Sequence, residues 1–150
     1  LESLNIINEM VAVHCNFIDN DIDFIKSAVF CPKSTHWFGR GTTIPVKKML
    51  DANIPVALGT DSMASNYSLN FLEEIRMADK LLTDVSRKEI LTMATRYGAE
   101  ILRFPCGTIE PGQKADMIGF RINTEMKDWH DLPFKPETKK VDFYMVNGKF

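Results

Sequence analysis

Apolar and polar positions alternate in blocks along the first hundred residues, and the blocks predict strands and helices in turn. Residues 10–17, "MVAVHCNF", form a short, mostly apolar run that reads as a strand. "NDIDFIKSA" follows as a short helix opened by Asp19 or Asn20. "AVFCP" is a second strand, ended by Pro32, and "KSTHWFGRGTT" reads as a long polar connection. A helix is expected over "PVKKMLDAN", with Pro45 suited to its first turn and Asn53 to a left-handed stop. "IPVALGT" is a third strand. Leu69, Leu72, Ile75, Ala78 and Leu82 then recur on one face of a helix. Ser86 opens a further helix through a capping box with Glu89, and Ile90, Ala94, Tyr97, Ile101 and Leu102 ride on it before Gly107.

Short apolar strands alternating with helices imply a parallel sheet covered on both faces. Two α/β architectures compete, a doubly wound sheet and a (β/α)8 TIM-type barrel. A whole barrel needs about 250 residues. The 150 residues here hold three βα units, so a barrel reading makes the chain its C-terminal part. Beyond Pro105 the pattern changes. Pro111-Gly112 marks a turn between extended runs, and Asn147-Gly148 is a hairpin signal. Residues 1–105 are therefore expected to form the βα units of one or other architecture, and residues 106–150 a separate β-rich element.

Composition adds exclusions. Hydrophobic residues make up 45% and charged residues 25%, enough for a packed core. A net charge of −2 offers no electrostatic footprint for nucleic acid or an anionic membrane. No apolar run approaches the roughly 20 residues that span a bilayer. Three cysteines without a CxxC, and no signal-like N-terminus, point to reduced thiols in the cytoplasm.

Chemistry in parallel α/β folds gathers at the carboxyl ends of the strands. His14, the "CPKST" loop and Asp61 stand at the three predicted ends. His14 reads either as a hydrogen-bonded core histidine or as a ligand or proton carrier. Asp61 reads either as a turn residue or as a metal ligand. His36 and Trp37 could line a substrate pocket or pack on the rim. Ser65 and Asn66 are expected to cap the next helix, with ligand contact as the alternative. Asp116 is expected to fix a turn before a strand.

Five motifs over residues 10–120, in order, resemble the amidohydrolase superfamily. "LGTDSMASNYSLNFLEEIRMA" resembles its eighth-strand motif and "VAVHC" its sixth-strand AHC. "CPKSTHWFGRG" resembles the seventh-strand loop, "ATRYGAEILRF" the following helix, and "GTIEPGQKADMIGF" the return into a small β-domain. The likeness is to the branch of S-adenosylhomocysteine and methylthioadenosine deaminases, chlorohydrolases, and guanine and cytosine deaminases. The "CPKSTH" form looks most like aminofutalosine deaminases of menaquinone synthesis.

That resemblance implies that residues 1–105 are strands 6 to 8 and their helices of a (β/α)8 TIM-type barrel and residues 106–150 part of a small β-sandwich domain. It also implies a hydrolytic deaminase releasing ammonia from an aminopurine nucleoside-type substrate. It implies one divalent metal, zinc first, with iron or manganese as alternatives. Asp61 matches the metal-ligating aspartate that takes a proton from water, and His14 the histidine that contacts water and substrate. Ser34, His36, Trp37 and Ser65 join His14 as substrate-side candidates. The superfamily's H-x-H, its further histidine and its glutamate have no counterpart, since His36 and His130 do not fit those places. The expected partners are a small-molecule substrate, the remainder of the chain and further copies in a homo-oligomer. A chlorohydrolase, a cyclic-amide hydrolase or a non-catalytic module on the same scaffold are the alternatives.

Overall fold

A computed structural model of the chain describes residues 10–18, 22–40, 44–122, 125 and 127–150. Strands β1 (Ala12–Val13), β2 (Ala28–Phe30) and β3 (Val56–Leu58) form one parallel sheet in that order. Val13 pairs with Val29, and Val29 with Ala57. Ala28, Phe30 and Val56 are fully buried, which is why these strands read as unbroken apolar runs. The strand expected over 10–17 narrows to two residues. Its backbone swings to positive φ at His14 (69°) and Cys15 (44°), which takes the chain out of the ladder.

The helix expected between β1 and β2 is not formed over residues 22–27, and residues 19–21, its expected start, lie outside the described residues. Ile25 N–H donates to the Ile22 carbonyl at 2.9 Å, and this single turn seats both isoleucines against the core. After β2 the reverse correction applies. The expected connection begins with a helix, α1 (Pro32–Trp37), in which Pro32 takes the first position. Proline's fixed φ and missing N–H suit that place. Six residues with no apolar stripe gave no periodicity to read.

Helix α2 (Val46–Asp51) ends where Asn53 adopts φ 59°, as the sequence implies. Helix α3 (Phe71–Leu81) buries Leu72, Ile75 and Ala78, with Leu82 just beyond it, while Leu69 stays outside. Its N-cap is Asn70, whose side chain accepts from Leu72 N–H, and not Ser65 or Asn66. Helix α4 (Arg87–Ala94) opens on the complete Ser86–Glu89 capping box. The long helix expected here breaks at Thr95 (φ −130°, ψ −85°), and α5 (Arg96–Ile101) continues it. Thr92 and Thr95 hydroxyls donate to the Lys88 and Leu91 carbonyls, a bonding pattern that bends helices. Leu102 is left exposed.

The tail forms a two-stranded antiparallel sheet of β4 (Met117–Gly119) and β5 (Phe143–Met145). Asn147 (φ 50°) and Gly148 (φ 74°) make the tight turn that an Asn-Gly pair favours. Asp116 fixes it by accepting from Asn147 N–H. A short 3-10 helix, Trp129–Phe134, drops Phe134 into the core shared with α3 and α4. Arg87 links Asp79 of α3 to Asp131 of that turn at 2.9 and 2.8 Å. No described helix is long and apolar enough to cross a membrane.

Candidate active site

The parallel register brings the ends of β1 and β3 to either side of β2, and His14 and Asp61 meet there. His14 N–H still bonds the Val29 carbonyl at 3.0 Å, which anchors the residue as the chain turns away. Its Nε2 lies 3.7 Å from Asp61 Oδ2, ion-pair range but too long for a hydrogen bond. Asp61 also stands at positive φ (58°), so both residues hold a backbone conformation that is uncommon outside glycine. Such outliers cluster at functional sites.

Asp61 is clamped. Oδ2 accepts from Ser34 Oγ at 2.8 Å and Ser65 Oγ at 2.7 Å, and Oδ1 accepts from Ser62 N–H at 2.8 Å. The Ser65 hydroxyl, then the Ser34 hydroxyl, hold its carboxyl below the usual carboxylate range against partial burial. Ser62 N–H and His14 add to the lowering. Ser34 and Ser65 are 0% and 5% exposed, so each donates inward to the carboxylate. His36 and Trp37 lie exposed on α1. Trp37 packs edge-on against Tyr67, ring centroids 4.4 Å apart, joining α1 to the loop after β3.

Beneath the clamp lies a second carboxylate that sequence reasoning missed. Glu74 is fully buried on α3, accepting from Lys33 N–H at 3.0 Å and Asn66 Nδ2 at 2.5 Å. Burial pushes its carboxyl up, and the two donors pull the other way. One signal existed in the sequence. Glu74 falls one turn before Ala78 on the apolar stripe of α3, where an unpaired acid would not be tolerated. Cys31, at the end of β2, is pushed up to about 12, first by burial and then by the charges of Asp61 and Glu74. It is therefore a neutral thiol at physiological pH and no nucleophile.

A divalent metal is tested here by the donor set. An ionised carboxylate offers about four lone-pair directions. Three at Asp61 are filled by protein donors, which leaves room for one more ligand on the half-exposed side chain. His14 Nδ1 is buried without a hydrogen-bond partner in the described structure. A carboxylate suits zinc, so Asp61 fits as one ligand of a site, with His14 Nε2 beside it. Zinc takes four ligands, and no group of three or more His, Cys, Asp or Glu converges among the described residues. A separate concavity of about 590 Å³ is lined by Phe120, Arg121, Leu132, Lys135, Thr138 and Asp142 among others, and it includes none of the clamp residues.

Fold and site together define an α/β protein with its polar centre at the carboxyl ends of parallel strands. Residues 2–150 match the amidohydrolase family, and the chain belongs to that family. It is 40% identical over 158 residues to a 5-methylthioadenosine/S-adenosylhomocysteine deaminase of Caldanaerobacter subterraneus subsp. tengcongensis, covering 93% of this chain and 36% of that protein. The fold matches a zinc-bound adenosine deaminase from Xanthomonas campestris with a TM-score of 0.87 at 25% identity, over 99% of this chain and 38% of that one. It also matches Helicobacter pylori aminofutalosine deaminase in complex with methylthio-coformycin, with a TM-score of 0.77 at 25% identity, over 94% and 37% of the two chains. These likenesses fall in the deaminase branch that the motifs resemble. The chain thus spans little more than a third of the proteins it matches.

Proposed function

We propose that the chain is the C-terminal part of a metal-dependent hydrolytic deaminase acting on an adenosine-type compound. In this reading residues 1–105 supply the last three units of a (β/α)8 barrel, and residues 106–150 part of a small β-rich domain. Both edges of the three-stranded sheet are open among the described residues, and Val13 of β1 is exposed. A parallel sheet is normally covered, and further strands of the same protein would cover this one.

The observation that carries the reading is the meeting of His14 Nε2 with a hydroxyl-clamped Asp61 at neighbouring strand ends. Asp61 is proposed as one ligand of a divalent ion, zinc by analogy with the zinc-bound relative. Such an ion, when bound, lowers the pKa of water toward neutrality. Asp61, kept anionic by its donors, would hold the ion at its free lone pair and accept the water proton at Oδ2 once a serine hydroxyl turns away, then return it to the departing amine. His14 orients water and substrate through Nε2. We assign Ser34 and Ser65 to holding Asp61, and His36 and Trp37 to the substrate side, where Trp37 offers a face to a purine. The substrate is a small molecule, with methylthioadenosine, S-adenosylhomocysteine and aminofutalosine as the compounds to try. Three free cysteines suit a cytoplasmic protein.

The test uses the intact protein encoded by the gene. It should carry about one zinc per chain and release ammonia from at least one of those three nucleosides. Metal-free protein that stays inert after zinc is supplied would overturn the reading.

A further inference from the structure

We infer that Glu74 is a positioning residue, which sets the geometry of Asp61 by holding the two segments that clamp it. The inference rests on the role proposed above for Asp61. Glu74 Oε2 takes Lys33 N–H, and Oε1 takes the Asn66 side-chain amide. Each of those partners adjoins a serine. Lys33 precedes Ser34 on α1, and Asn66 follows Ser65 in the loop after β3. The two serine hydroxyls are the ones that meet on Asp61 Oδ2. The Asn66 amide also donates to the Thr60 carbonyl at 2.9 Å, fixing the backbone immediately before Asp61. One carboxylate on α3 therefore ties the start of α1, the loop after β3 and the tip of β3 into a single unit.

An outer strap repeats the connection. The Lys33 ammonium reaches Glu73 at 2.6 Å and the Ser68 carbonyl at 3.2 Å, while Ser68 Oγ donates to Glu73 at 3.0 Å. Stability alone does not explain the inner carboxylate. Taking a charge out of water is costly, and an apolar residue of similar size commonly packs such a site as well or better. Its bonds instead go to the residues beside the two serines, which is where control of Asp61 would be exerted. Outer partners of this kind fix the orientation of a ligating side chain.

The experiment compares Glu74→Gln with the double variant Asn66→Asp/Glu74→Gln in the intact protein. Two donors converge on Glu74, so the amide of the single variant breaks one arm whichever way it lies. In the double variant the introduced amide donates to the introduced carboxylate and its carbonyl accepts from Lys33 N–H. Both arms return, but the bond to the Thr60 carbonyl is lost and a carboxylate oxygen now faces that carbonyl, which offsets part of the rescue. Zinc affinity, read by chelator competition, should fall about 10-fold or more in Glu74→Gln. Exchange of Ser62 N–H, which donates to Asp61 Oδ1, should rise about 10-fold in metal-free protein. kcat should drop with KM for the nucleoside little changed. The double variant should regain part of all three. Wild-type values in a folded Glu74→Gln would overturn the inference. If Glu74→Gln fails to fold, Asn66→Ala cuts one arm and is held to the same expectation. Wild-type protein that takes up no zinc would defeat the proposed function, and Ser62 exchange would still decide the role of Glu74.

Discussion

Carboxylates organise both the strand-end site and the C-terminal tail, but they do so by different means. In the tail, Asp116, Asp128 and Asp142 are exposed and each accepts from a backbone N–H, of Asn147, His130 and Arg121 respectively. Each one fixes a turn or a strand pair. At the strand ends, Asp61 and Glu74 each gather two or more donors, and Ser34 and Lys33 reach them from 27 and 41 residues away. Glu74, Ser34, Ser65 and Asn66 are all buried. The tail carboxylates can be lost one at a time. Those at the strand ends form a network whose members depend on one another.

The sharpest way to break that comparison is to delete one carboxylate from each region. Glu74→Ala leaves the Lys33 N–H and the Asn66 amide without their buried acceptor and should cost about 3 kcal/mol in urea unfolding. Asp142→Ala leaves one exposed amide that water can satisfy, and should cost about 0.5 kcal/mol. Equal losses would erase the distinction. Gly59→Ala should fall between them, at about 1–3 kcal/mol. A Cβ there would lie 2.8 Å from Val29 Cγ1 and 3.2 Å from Cys31 Sγ, inside the sheet that presents Asp61. Ser86→Ala removes the exposed cap of α4 and should cost about 1 kcal/mol, read as a modest fall in Tm.

The smallest effect concerns pH. Lys33, first of all, holds the Glu73 carboxyl below its ordinary range. Its folded pKa is therefore lower than its unfolded value of about 4.3. Its contribution is complete above the unfolded value and is lost as pH falls through the folded one. Glu73→Gln should flatten the acid limb of the stability curve. Burial moves its neighbour Glu74 the opposite way, so Glu74 favours the folded state most below its unfolded pKa and less as pH rises through its folded pKa. An acid limb left unchanged by Glu73→Gln would remove Glu73 from the account.

What could be read from the sequence follows the same divide. The Asn53 stop, the Ser86–Glu89 box and the Asn147-Gly148 turn rest on residues close in sequence, and all are present; Asp116 instead holds that last turn from 31 residues away. The apolar stripe of α3 was legible because burial imposes its period. Helix α1 was not, since six residues cannot display a period and Pro32 resembled a stop. The break at Thr95 depends on two hydroxyls turning back onto carbonyls, which composition does not announce. At the site, Asp61 and His14 were visible as polar residues ending apolar runs. The roles of Ser65 and Asn66 were misread as caps because their partners, Asp61 and Glu74, become neighbours only on folding.

The central claim is that Asp61 is held at the tip of β3 to bind a divalent ion and carry a proton. Asp61→Ala in the intact protein tests it, with zinc content, ammonia release and Tm measured on the same sample. The account predicts loss of bound zinc and a fall in turnover of about 10²–10⁴-fold, with the fold retained. A variant that keeps its zinc and deaminates at the wild-type rate would contradict it.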